Sequence, residues 1–127
     1  ELGLGKVAIL APYMKPLTQT VVDYIEAEGI EVCAAHALEI SDNLAVGRRP
    51  PELALNAAAE IDLTGAQALV LSACVQMPAA AAIEAAEQKF GLPVVTASSC
   101  TVRQMLKALN VVPIVSGFGA ALSSQNA

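Results

Sequence analysis

Residues 6–37 read KVAILAPYMKPLTQTVVDYIEAEGIEVCAAHA, and the hydrophobic period changes twice along them. Residues 6–11 are a short apolar run that Pro12 ends, the pattern of a strand buried on both faces. From Leu17 the period lengthens. Val21, Val22 and Ile25 recur at helical spacing, and Gly29 after Glu28 is a helix stop. Residues 30–37 return to a strand pattern. Strand, helix and strand in succession predict a parallel pair, because parallel neighbours need a crossover rather than a tight turn.

The same alternation continues outward. A polar loop, SDN at 41–43 and RRPP at 48–51, precedes a helix predicted from near Pro51 to about Leu63, with Gly65 ending it. Residues 68–72 (ALVLS) predict a third buried strand. Pro78 then sits where a first helical turn tolerates proline, ahead of an alanine-rich stretch that runs to Phe90 and closes at Gly91. Residues 93–97 (PVVTA) predict a fourth strand, and residues 101–109 a helix with Val102, Met105, Leu106 and Leu109 on one face. The expected fold is a single three-layer, flavodoxin-like α/β domain over residues 1–127, built on a four-stranded parallel sheet. Residues 111–127 follow neither period. Their apolar VVPIVSGFGAAL is expected to pack against another domain or subunit, or to add an edge strand.

Composition narrows the function classes. With 127 residues, 55% hydrophobic and 15% charged, the chain is too apolar for disorder and near the usual size of one domain. Its apolar runs are broken far short of the roughly 18–20 residues of a membrane helix. A net charge of −5 with seven basic side chains, of which only Arg48 and Arg49 are adjacent, offers no stripe for a phosphate backbone. Two tyrosines and two phenylalanines make a poor base-stacking surface, so neither nucleic acid nor membrane is an expected partner. Residues 1–10 lack a signal-peptide pattern, and the three cysteines form no CxxC pair, which fits a reducing cytoplasm.

Chemistry is sought just after each strand, since open parallel sheets bind ligands at their carboxyl ends. No nucleotide-binding glycine pattern follows the first strand, and the third strand ends in Ser–Ala–Cys rather than a carboxylate. The single histidine, His36, has no second ligand at metal-site spacing, so no metal is expected. Cys74 lies between the third strand and a helix predicted to start near Met77. A thiol beside helix N-terminal amides is acidified, and the same amides bind carboxylates. The plain alternative is a small buried hydrophobe. Cys33 falls mid-strand and reads as structural, and Cys100 falls near the first turn of the last helix. Tyr13 and Asn43 follow the first two strands and could hold two ends of a dicarboxylate, or be a loop tyrosine and part of an Asx turn.

The runs APYMKPLTQTVVDYIEAEGIEV, SDN, LVLSACVQMPAAAAIEAAE and GLPVVTASSCTVRQML together resemble the C-terminal half of the bacterial maleate cis–trans isomerases. These belong to the aspartate/glutamate racemase superfamily and are related to arylmalonate decarboxylases. The resemblance implies two pseudo-symmetric halves, a cofactor-free site between them and one cysteine from each half. It implies addition of a thiolate to maleate, rotation about the resulting single bond and elimination of fumarate. Cys74 then matches the acid/base cysteine of the second half, Tyr13 and Asn43 match substrate-binding residues, and the Val75 amide matches a carboxylate-binding group. The N-terminal half and its nucleophilic cysteine are absent, so half a site, inactive alone, is expected, within a homodimer of full-length chains. A racemase or decarboxylase acting α to a carboxylate would use the same thiol. A non-catalytic carboxylate-binding or packing module is the reading from another class.

Overall fold

The computed structural model describes residues 1–72 and 77–127. β1 (Lys6–Ala11), β2 (Glu31–Ala37), β3 (Ala68–Leu71) and β4 (Val94–Thr96) form a four-stranded sheet in the order β2-β1-β3-β4. Every pairing is parallel. The helices are α1 (Lys15–Ala27), α2 (Asn43–Gly47), α3 (Pro51–Ala58), α4 (Ile83–Phe90) and α5 (Ala97–Ala108). The expected α/β fold with a four-stranded parallel sheet is therefore present.

Strand side chains alternate between two cores. Ala8, Leu10, Leu69, Leu71 and Val94 face Ala54 and Ala58 of α3 and Ile83 and Ala86 of α4. Val7, Ile9, Ala11 and Ala68 face Val22 of α1. Ile9, Leu10, Leu69 and Leu71 are fully buried, each contributing about 1.5–3 kcal/mol by its removal from water. The alanines on both sides of these layers let helix and sheet backbones approach closely.

Several element ends differ from expectation, each for a local reason. α5 begins at Ala97, ahead of the expected residue 101, because Thr96 and Ser99 form a reciprocal cap. The Ser99 amide donates to Thr96 Oγ1 at 3.0 Å, and the Thr96 amide donates to Ser99 Oγ at 2.9 Å. α3 ends at Ala58 rather than near Leu63. Beyond it Asp62 closes an Asx turn on the Thr64 amide at 3.0 Å, an alternative to helix that acidic residues offer the backbone. The helix expected from Met77 is a turn, then a 3₁₀ segment Ala80–Ala82, and becomes α-helical only at Ile83. The apolar face expected of the last helix points outward: Met105 is 58% and Leu109 69% exposed, while the inward residues are Ser99 and Arg103.

Arg103, 7% exposed, explains much of the C-terminal segment. Its Nη1 donates to the Ala121 carbonyl at 2.8 Å, its Nη2 to the Asn126 carbonyl, and its Nε to Glu1 Oε2 at 3.2 Å. Glu87 acts from the other side: the amides of Val94 and Ala120 donate to its Oε1 at 2.9 and 2.8 Å. Ala121 and Leu122 are buried as a result. The segment expected to dock elsewhere is thus divided. Its second half is fastened to its own domain and forms no edge strand, whereas Val111, Val112 and Ile114 stay exposed. A hydrogen bond from Lys107, with the help of Arg103, holds the Glu1 carboxyl below its ordinary pKa. The depressed value means that this stabilisation is present above the unfolded-state pKa and is lost as pH falls through the folded one.

Replacing Arg103 with Met keeps much of the side chain's packing but leaves the Ala121 and Asn126 carbonyls without their cationic donor. The expected loss is about 2–3 kcal/mol, read as a lower urea midpoint at unchanged slope.

Candidate active site

The strand order places a topological switch at β1, whose connections leave toward β2 on one edge and whose other edge pairs with β3. Ligands in such sheets lodge outside the carboxyl ends at the switch. In this chain that rim is built from residues 12–14 after β1, 38–43 after β2, Ser72 after β3 and Thr96–Ser99 at the β4–α5 junction.

Tyr13 stands one residue beyond the buried Pro12 and is half-buried, packed against the α1-side core. Asn43 is exposed and opens α2. Its neighbour Asp42 takes the capping role, accepting from the Leu44 amide at 2.9 Å, so the Asn43 amide group is not consumed in forming that turn. Cys74 and Val75 lie outside the described residues. Their flanks are Ser72, whose amide donates to the Leu10 carbonyl at 2.8 Å and prolongs the β1–β3 ladder, and the buried Met77. The helix whose N-terminal amides were expected to acidify Cys74 starts at Ile83, nine residues later. The expected helix start near Met77 is therefore corrected to Ile83.

The loops after β1 and β2 are fastened together. Leu38 donates to the Ala11 carbonyl at 2.8 Å, Ile40 to that of Pro12 at 3.0 Å and Glu39 to that of Tyr13 at 3.1 Å. Two successive amides reach β1's outgoing loop because Glu39 adopts a left-handed φ of 53°, uncommon for a residue with a Cβ. The exposed Lys15–Glu39 ion pair at 3.7 Å adds little. This clamp ties the Tyr13 backbone to the lead-in of Asn43. No glycine marked the position, so periodicity and turn composition could not reveal it. The Thr96–Ser99 cap was visible in principle as a T-x-x-S pattern; it engages both hydroxyls locally at the fourth strand end.

The remaining candidates settle into ordinary roles. Cys33 is half-buried and its thiol donates to the Val7 carbonyl at 3.3 Å, a structural position. Cys100 is exposed on α5, and His36 is half-buried in β2. Among the described residues no cluster of His, Cys, Asp or Glu could hold a metal, and no helix is long and apolar enough to cross a membrane. Exposed Met14, Leu17 and Leu44 give the carboxyl-end rim an apolar border beside its polar candidates.

If the left-handed turn is what Glu39 supplies, Glu39→Gly should leave thermal stability within about 1 kcal/mol of the parent, while Glu39→Val, β-branched at positive φ, should cost about 1–2 kcal/mol. Thermal melts of the two variants measure the difference.

Comparison with known proteins agrees with this architecture. Residues 1–122 match the family described as arylmalonate decarboxylase. A maleate isomerase of Geobacillus stearothermophilus is 48% identical over 124 residues, covering 98% of this chain and 49% of the relative. The crystal structure of the maleate isomerase Iso from Pseudomonas putida superposes with a TM-score of 0.92 at 47% identity, over 97% of this chain and 50% of that one. A cysteine-to-serine mutant of Nocardia farcinica maleate cis–trans isomerase, with a covalently bound succinylcysteine intermediate, matches with a TM-score of 0.90 at 41% identity, over 95% and 49% of the two chains. The chain spans about half the length of the curated relatives it matches. It belongs to the arylmalonate decarboxylase family, and within that family it is similar to one half of the maleate isomerases.

Proposed function

We propose that this chain supplies one half of a cofactor-free active site that isomerises maleate to fumarate through a cysteine adduct. The observation that carries the reading is the match of nearly all of this chain to about half the length of maleate isomerases, including a relative trapped as a succinylcysteine. The fold supports it by gathering Tyr13, the lead-in to Asn43 and Ser72, two positions before Cys74 in sequence, at one rim.

In the proposed reaction a thiolate from the other half attacks one alkene carbon of maleate, forming a C–S bond, and the adjacent carbon takes a proton from Cys74. The former double bond is now single and rotates. Cys74, as thiolate, then removes the proton, the C–S bond breaks, and the electron pair re-forms the alkene as fumarate. The starting thiolate and thiol are regenerated, so no redox partner or cofactor is needed. Tyr13 and Asn43 donate to the carboxylates and the Val75 amide holds charge as it develops, a role for which pre-placed donors suit a water-poor cleft. Residues 1–127 act as one of two halves in this reading, and the apolar border of Met14, Leu17 and Leu44 is where the other half closes the site. A dimer of full-length chains is part of the same proposal.

In the full-length protein, Cys74→Ala should lower turnover of maleate by about 10²–10⁴-fold, the usual scale of a lost acid/base group, with the fold intact by circular dichroism. Tyr13→Phe should raise KM roughly tenfold, the equivalent of one lost hydrogen bond to a charged group. Proton NMR of maleate and fumarate reads both. The 127-residue chain alone should be inactive, and fumarate production by it would overturn the half-site reading.

A further inference from the structure

Among the described residues, two that carry a Cβ hold a left-handed backbone, Asn110 at φ 56° and Glu39 at φ 53°. Asn110 has a local reason. It follows the last turn of α5, where its amide donates to the Lys107 carbonyl and the Val111 amide to the Leu106 carbonyl, a Schellman closure that asparagine tolerates. Glu39 ends no helix and lies at the rim, in the crossing from β2 to α2. Backbone held in such a region persists where the surroundings over-determine it, and it gathers at functional sites.

The effect of Glu39 is read in the carbonyls opposite. The amides of Leu38, Ile40 and Glu39 donate to the carbonyls of Ala11, Pro12 and Tyr13, and the Met14 carbonyl accepts from the Thr18 amide at 3.0 Å and from Thr18 Oγ1 at 3.2 Å. Each carbonyl from residue 11 to residue 14 is therefore bonded within the protein, although these residues leave a strand end at the rim. Pro12 and Thr18, on either side of Tyr13, are buried. The Glu39 side chain is exposed, so its contribution to this arrangement is made through the backbone. Leu38 and Ile40 also pack on the α3-side core, a reason for the turn that would concern stability alone.

We infer that Glu39 is a positioning residue for substrate binding: its left-handed turn fixes the Tyr13 backbone so that the phenol is already placed for one carboxylate of the bound diacid. The inference rests on the proposed dicarboxylate site and adds to it a residue that touches no substrate. A binding group loses affinity when its support is loosened, because it must then be ordered at each binding event.

Steady-state kinetics of the full-length enzyme with maleate test this in Glu39→Val, Glu39→Asn, Tyr13→Phe and the double variant Glu39→Val/Tyr13→Phe. At positive φ valine is among the worst residues and asparagine among the best. Glu39→Val is expected to raise KM about tenfold, near the effect of Tyr13→Phe, with kcat within about twofold of the parent, the signature of lost ground-state binding. Glu39→Asn should keep both constants within about twofold of the parent. The double variant should match Tyr13→Phe, because no hydroxyl is left to position. KM does not depend on how much of a preparation is folded, so a purely structural turn would lower the yield of active enzyme and leave KM alone. Glu39→Thr, branched but able to bond its own backbone, repeats the measurement with less risk to folding. An unchanged KM in the branched variants, a loss shared by Glu39→Asn, or effects that multiply in the double variant overturn the inference. An unchanged KM in Tyr13→Phe instead sinks the reading of Tyr13 as a substrate group, and the inference falls with it.

Discussion

The parallel hydrogen bonding of β1 to a neighbour on each edge is the constraint from which the rest of this structure follows. Parallel neighbours cannot be joined by hairpins, so every connection crosses a face of the sheet as helix and returns to the same end. Two consequences are unavoidable. The sheet acquires two separate cores, one against α3 and α4 and one against α1, and all the loops that follow strands gather at one rim. The proposed chemistry is a product of this arrangement, placed where the strands end.

With few charges available, the chain uses them where backbone groups would otherwise be stranded. Arg103 gathers carbonyls from the C-terminal segment and Glu87 gathers amides from β4 and the same segment, so the short 3₁₀ turns Ala120–Leu122 and Ser124–Asn126 are fixed by two opposite ions. Charge-assisted bonds of this kind are stronger than neutral ones. Gly119 sits so close to Ile83 and Glu87 that an added Cβ would lie 2.5 Å from Ile83 Cγ2 and 2.7 Å from Glu87 Oε1. The clamp at Glu39 is different in kind: it carries no charge burial, only a left-handed residue that turns two amides toward the neighbouring loop.

The exposed apolar surface separates into places with different meanings. Met14, Leu17 and Leu44 border the rim, Val70 and Val95 floor a groove, and Met105, Leu109 and Val112 lie on the outer side of α5 and the segment after it. An apolar surface so divided suits a chain whose relatives carry as much sequence again, since each region faces a different direction from the sheet.

Periodicity and punctuation determined the order of elements, the parallel sheet and the strand ends at which Tyr13, Asn43 and Cys74 were sought. Those signals are local: a two-sided strand must be apolar throughout, and glycine or proline must stand where φ demands it. The tertiary structure decided what local pattern cannot encode. Val102, Met105 and Leu109 have helical spacing whether their face is turned to the core or to solvent, and nothing local to Arg103 announces the carbonyls of Ala121 and Asn126 that bury it. The residues between Met77 and Ile83 favour helix by composition, yet form a turn and a 3₁₀ segment, with Met77 and Ala79 buried in the α3-side core. Side-chain chemistry is written residue by residue, but which face is buried, which charge is paired and which loop is clamped depend on contacts between distant segments.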